Sequence, residues 1–333
     1  MQTLLLNKSD VGQLIDLDRI LLAVEDGYKS FQKGLVIQPD FMTVCLPETH
    51  KGIDFKAGLD VAGGYISVKS SSGGYDNNPS LGLPIGMNTV LLYDAETSAL
   101  RCIMDGTWIT GCRTAAAGAI SIKYLARNDV RNLSIIGTGR QARKQFQAAM
   151  RIRNFENVYL WGQSSKFLDE FYDEITKEAR ELNVFKCSTA KEAVENADVL
   201  ITVTRGRYAD GPIVKKEWVK SGTHIVAVGA DMPDKQELDP SLFATAKVVN
   251  DSSILCAKNG ETHHAIEDGF ITQSDIYAEI GEIILNNKNG RIDQKEITIF
   301  DTVGMAIQDN VMAAMLFTSA EEMKLGNYYN FLE

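Results

Sequence analysis

The run Asn132-Leu-Ser-Ile-Ile-Gly137-Thr138-Gly139-Arg140-Gln141-Ala142 constrains the chain most, because an apolar strand breaks into a glycine turn and then into a charged, helix-forming stretch. A dinucleotide-binding βα turn reads this way. Gly137 supplies the tight turn, Gly139 lets the backbone approach a pyrophosphate, and Ala142 is small enough for helix to lie close on strand. The plainer alternative, a loop before an ordinary surface helix, is weakened by the segments downstream. Val158-Tyr-Leu-Trp161 reads as a second strand, and Ser165 to Leu182 repeats Phe167, Phe171, Ile175, Ala179 and Leu182 at helical spacing. Asp198 to Thr204 and His224 to Val228 are short β-branched runs of the kind buried in a parallel sheet. The series predicts an α/β chain with a Rossmann-type dinucleotide-binding domain.

At 333 residues the chain is long enough for a second domain. Residues before about 115 do not follow the doubly wound pattern. Asp18 to Lys33 reads as an amphipathic helix, followed by extended segments at 41–46, 52–55, 65–69 and 87–93, with a Gly/Ser/Asn-rich loop over 70–80. A helix over 115–125 leads into the dinucleotide fold, and another over 306–325 closes the chain. The expected division is residues 1–115 plus 306–333 as a β-rich α+β substrate and dimerisation domain, and 116–305 as the Rossmann domain.

A net charge of −10 removes the basic balance that nucleic acids or anionic membranes favour, so neither is an expected partner. The opening residues read as no signal peptide and no stretch approaches a membrane span, so a cytoplasmic protein is expected. Cys45, Cys102, Cys112, Cys187 and Cys256 are scattered without zinc or disulfide spacing, and are expected as reduced thiols. His263-His264 suggests a metal, but no carboxylate or cysteine cluster is read around the pair and none is expected. His50 and His224 read as structural, the latter because it starts a buried strand. Glu237-Leu-Asp239-Pro240 reads as a segment that caps and orients the next element.

Several segments taken together are similar to the ornithine cyclodeaminase and mu-crystallin family along nearly the whole chain. They are Val68-Lys69, Asn78-Pro79 with Gly82-Leu-Pro84, Ile109-Thr-Gly-Cys-Arg113-Thr-Ala-Ala, Gly137 to Ala142, Gly229-Ala-Asp231 through Asp239, and Phe300-Asp-Thr-Val-Gly304 with Gln308-Asp309. The resemblance implies a homodimer that holds NAD(H) or NADP(H) and acts on a small amino or imino acid. It implies that Lys69 and Arg113 grip the substrate carboxylate and that Asp231 is the catalytic acid/base, with Lys69 also able to assist the reacting water. Arginine's planar fork and lysine's compact charge suit those roles. Candidate cofactor contacts are Thr114, Gly137, Thr138, Gly139, Arg140, Gln141, Ala142, Gln163, Ser164, Ser165, Lys166, Thr202, Val203, Thr204, Val228, Gly229, Asp231, Val303 and Gly304.

The family pattern is broken in places. Gln38-Pro39-Asp40-Phe41 puts an acid where many relatives carry a further cation, and Lys56 stands where many have a proline. Lys56 either replaces that lost charge in binding substrate or recognises a different substrate tail. Ile85 replaces the threonine of ornithine cyclodeaminases, which argues against carrying over ornithine specificity. Gly162 occupies the end of the second Rossmann strand, where an acid normally bonds the NAD ribose. Gln163 to Lys166 offer hydrogen bonds and one positive charge, so NADP(H) is favoured over NAD(H), and an Asp at position 162 is expected to turn that preference toward NAD. The expected activity is an amino-acid dehydrogenase or imine reductase, with ornithine cyclodeaminase as an alternative and a non-catalytic, crystallin-like NADPH binder as the alternative of another class.

Overall fold

The computed structural model describes residues 2–46, 49, 51–73, 75 and 77–331; His50 lies outside them. In chain order the elements are β1 (Gln2–Leu6), α1 (Lys8–Gln13), α2 (Leu17–Gln32), β2 (Val36–Ile37), β3 (Met42–Cys45), β4 (Gly52–Asp60), β5 (Tyr65–Gly73), β6 (Asn88–Asp94), β7 (Leu100–Asp105) and α3 (Thr107–Leu125). There follow β8 (Asn132–Ile136), α4 (Arg140–Ile152), β9 (Asn157–Trp161), α5 (Ser165–Glu178), β10 (Asn183–Lys186), α6 (Ala190–Asn196), β11 (Val199–Thr202) and β12 (His224–Ala227). The chain continues through β13 (Lys247–Asn250), α7 (Ser253–Asn259), α8 (Glu261–Glu267), β14 (Ala278–Glu279), α9 (Ile280–Ile284), β15 (Thr298–Asp301), α10 (Ala306–Met323) and β16 (Asn327–Asn330).

Two compact units result, one of Met1–Arg113 with Met305–Glu333 and one of Thr114–Gly304. In the first unit the sheet runs β16-β1-β7-β6-β5-β4-β2, with β3 also paired to β4. It is antiparallel except for the β1–β7 pair. Helices α2 and α10 pack together and α10 lies on β4 and β5. Gly27 of α2 faces Ile307 and Val311 of α10 closely, where a Cβ would stand 3.3 Å from the former and 3.4 Å from the latter.

The second unit is a parallel sheet ordered β10-β9-β8-β11-β12-β15-β13-β14. Its central strands β11, β12 and β15 are buried at every position, which is why β11 and β12 appear in the sequence as largely apolar runs rather than alternating ones. Strand order reverses between β8 and β11. Ligands of open α/β sheets bind at such a switch point, beyond the carboxyl ends of the strands. His224 is fully buried at the start of β12, 3.0 Å from Ser121 Oγ and 2.8 Å from Thr298 Oγ1. Burial, with help from the Arg291 charge, holds its pKa well below the usual histidine value, so it stays a neutral structural ring.

Several expected boundaries are corrected: β4 runs on to Asp60 and β5 to Gly73, past the expected ends at 55 and 69 and into the expected loop, because the two pair in register along their whole length. Helix α3 begins at Thr107, not at 115, because Asp105 accepts from the Thr107 amide and hydroxyl, each at 3.1 Å. The Thr107, Ile109 and Thr110 side chains are β-branched and weak helix formers, which hid the start. Among the described residues no helix is long and apolar enough to cross a membrane.

Candidate active site

In the first unit, neighbouring strands present Lys56 and Lys69 directly opposite each other on β4 and β5. Lys69 is 1% exposed, and its Nζ lies 2.8 and 2.7 Å from the two carboxylate oxygens of Asp309 on α10. Arg113 on α3 reaches the same carboxylate, with Nε 3.1 Å from Asp309 Oδ1, while its Nη1 donates to Gln308 Oε1 at 2.8 Å. Gln308 in turn donates to the Tyr28 hydroxyl at 2.6 Å. The Lys56 ammonium stands 3.9 Å over the Phe41 ring.

Two buried cations thus converge on one buried carboxylate, leaving this trio with an excess positive charge. Burial and then the Arg113 guanidinium push the Lys69 ammonium down to about 7, against the opposing pull of Asp309. Burial would raise Asp309, but the Lys69 and Arg113 charges overcome it and hold the carboxyl below its ordinary value. Lys69 and Arg113 were legible as cations, whereas the roles of Asp309, Gln308 and Tyr28 were missed. The polar run Gln308-Asp309-Asn310 near the start of the mostly apolar α10 was the available signal, since a buried carboxylate demands a charged partner.

In the second unit the candidate cofactor residues, Thr114 on α3 apart, lie at the carboxyl ends of the parallel strands or just beyond. Gly137 has φ +122, and a Cβ there would stand 2.5 Å from the Val203 carbonyl oxygen, so only glycine fits the turn. At Gly139 an added Cβ would meet nothing within 4 Å, and α4 starts behind it with no side-chain cap. Open space ahead of uncapped amides fits a dinucleotide pyrophosphate. Ala142 is fully buried where α4 packs on β8, Gln141 is half-buried, and Arg140 is exposed. Gln145 of α4 donates to the Thr114 carbonyl at 3.0 Å.

Beyond β9, Gln163, Ser165 and Lys166 are exposed and Ser164 caps α5 through the Phe167 amide. The Gly162→Asp substitution carries a steric consequence as well as an electrostatic one. A Cβ at 162 would lie 2.7 Å from Thr138 Cγ2 and 2.8 Å from its Oγ1, so an acid there must first displace Thr138 from the turn.

After β11 come Val203 and Thr204, and after β12 come Val228 and Gly229. Buried Glu237 ties these two turns together by accepting from the amides of Thr204 and Gly229. Burial raises its pKa. Glu261 holds Glu237 in place by accepting from the Glu237 amide at 2.6 Å and the Leu238 amide at 3.2 Å. After β15, the Gly304 amide donates to Asp251 at 2.9 Å, with Val303 buried beside it. Glu261 and Asp251 are supports the sequence did not suggest. Asp231 is exposed on the turn after β12, with its side chain paired to Lys235 one helical turn on in sequence. His263 and His264, read as lacking a carboxylate neighbour, have Glu267 beside them on α8.

A profile of the Ornithine cyclodeaminase/mu-crystallin family matches residues 1–324. The alanine dehydrogenase of Archaeoglobus fulgidus is 36% identical over 331 residues, spanning 99% of both chains. Among solved structures, an archaeal alanine dehydrogenase dimer with bound NAD has a TM-score of 0.93 at 34% identity, with 100% of both chains covered. The Δ1-pyrroline-2-carboxylate reductase of Thermococcus litoralis, in complex with NADH and L-proline, has a TM-score of 0.91 at 32% identity over 98% of this chain and 99% of that one. Matching over essentially its whole length, this chain belongs to the ornithine cyclodeaminase/mu-crystallin family.

Proposed function

We propose that the chain is an NAD(P)-dependent oxidoreductase acting on the C–N bond of a small amino or imino acid, of the amino-acid dehydrogenase and imine reductase type. The buried Lys69–Asp309–Arg113 cluster is the observation that carries this reading. Two cations on one internal carboxylate leave positive charge for an external one, as an amino- or imino-acid substrate requires. The relatives' activities, alanine dehydrogenase and pyrroline-2-carboxylate reductase, are of this chemistry.

In this reading Arg113 and Lys69 fix the substrate carboxylate, and the pairing with Asp309 keeps both cations from wandering. Lys56 lies beside Lys69 in register, where it serves the remainder of the substrate. Asp231 exchanges a proton at its carboxylate oxygen with the substrate nitrogen or an attacking water. The turn Gly137–Ala142 and the strand ends tied by Glu237 hold the dinucleotide, with Thr114, Val303 and Gly304. When bound, that cofactor supplies or accepts the hydride at the substrate α-carbon.

Screening the purified protein with amino acids plus NAD⁺ or NADP⁺, and with oxo acids plus ammonia or cyclic imines plus NADH or NADPH, tests the reading. Steady turnover in one of these arms is expected. Saturable NADPH binding with no turnover in any arm would give a binding protein instead. Ornithine converted to proline and ammonia without net cofactor change would give a cyclodeaminase.

NADP(H) is the proposed preference, supported by the absence of an acid at Gly162 and by Gln163 to Lys166. Fluorescence titration should therefore show tighter NADPH than NADH binding. Lys166→Glu should move the ratio toward NADH by tenfold or more, about 1.4 kcal/mol per tenfold. Equal ratios in wild type and variant would remove Lys166 from the cofactor site. A homodimer is also proposed. Met42 and Val44 on β3 and Ile53, the register partner of Val44 on β4, are exposed apolar side chains on the first unit that such an interface would cover.

A further inference from the structure

Outside the groups assigned above, α8 gathers three metal-ligating side chains. Glu267 follows His263 by four residues and His264 by three, spacings that bring it to the helix face of both rings. One ring nitrogen from each histidine and one Glu267 oxygen lie within 4.8 Å of one another, and His263 Nε2 is 3.4 Å from the carboxylate. Each ring also has one nitrogen aimed at a backbone carbonyl. His263 Nδ1 is 3.1 Å from Ala257 O, and His264 Nε2 is 2.7 Å from Lys235 O. A carbonyl only accepts, so these nitrogens carry the protons and the opposite ones present lone pairs. Metal-bound imidazoles are oriented in this way by their outer partners.

An ordinary His–Glu ion pair on a helix accounts for His263 and Glu267, but not for His264. That ring is 1% exposed, and its Nδ1 is buried with no hydrogen-bond donor against it among the described residues. An orphaned acceptor of this kind costs free energy unless something binds it. The Tyr208 ring stacks on the His264 ring at 4.7 Å between centroids and fixes its plane.

We propose that His263 Nε2, His264 Nδ1 and a Glu267 carboxylate oxygen form a binding site for a divalent transition ion of the zinc type, with solvent completing the shell. Bonds of about 2.0–2.1 Å need ligand atoms roughly 3.4 Å apart. His263 Nε2 and the Glu267 carboxylate already have that spacing at 3.4 Å, and Glu267, whose side chain is 63% exposed, can adjust toward His264. Through His264 Nε2 and the Lys235 carbonyl, the ion would brace the turn on which Lys235 pairs with Asp231.

Zn²⁺ titrated calorimetrically into the full-length, chelator-treated protein should bind at one equivalent per chain, and Co²⁺ should give the visible d–d absorption of a low-coordinate nitrogen and oxygen site. His263→Ala and Glu267→Gln, both at solvent-accessible positions, should each weaken binding at least tenfold and abolish the rise in Tm that the metal gives wild type. Exposed Cys45 is the competing ligand, and Cys45→Ser should leave binding unchanged. The proposal is overturned if no saturable binding occurs up to about millimolar metal, or if binding survives the α8 variants and disappears with Cys45→Ser.

Discussion

Asp231→Asn is expected to lower kcat by roughly 10²–10⁴-fold on the best substrate, the contribution general acid–base catalysis ordinarily makes. The amide keeps the shape of the carboxylate and removes its basicity. Folding should hardly change, because the Asp231–Lys235 ion pair that the substitution breaks is exposed, and such pairs contribute about 0–1 kcal/mol. Dinucleotide binding should also persist, since the glycine turn and the Glu237 clamp do not depend on Asp231. Stopped-flow turnover alongside cofactor titration separates these effects. A variant retaining most of its turnover would leave Asp231 a turn residue and require another base.

The legibility of each element depends on how local its signal is. Strands β8, β11 and β12 were readable because strands buried on both faces are mostly apolar, and the glycine turn because its backbone admits only Gly137. Strands β1 and β16 were not. β1 joins β7 and β16, and β16 joins β1 across almost the whole chain, pairings that no local pattern records. The same holds at the site. Lys69 and Arg113 stand in recognisable segments, but Asp309 lies 240 residues from Lys69 and 196 from Arg113, and the partnership exists only once α10 has folded onto β5. Glu267 was within reach of sequence reasoning, four residues from His263, and the orphaned Nδ1 of His264 was not, because burial decides it.

Asp309→Asn should be the most damaging single change to the first unit. It leaves Lys69 and Arg113 buried with no counter-charge, and breaking a buried ion pair by removing one partner typically costs about 3–5 kcal/mol. The chain's cheapest relief is to deprotonate Lys69. Asp309 is the group that raises the Lys69 pKa against burial, so removing it must send that pKa further below about 7. Wild-type affinity for a carboxylate should therefore weaken as pH rises through about 7 and Lys69 loses its proton, and in the variant this limb should move to lower pH. Dinucleotide affinity should stay nearly constant, because its proposed contacts belong to the second unit. A carboxylate ligand should restore part of the lost stability, raising the variant's Tm more than the wild type's, since it replaces the missing negative charge. An unchanged pH limb with normal kcat/KM would mean that Lys69 and Arg113 serve only the internal pair, and the carboxylate grip would have to be sought elsewhere.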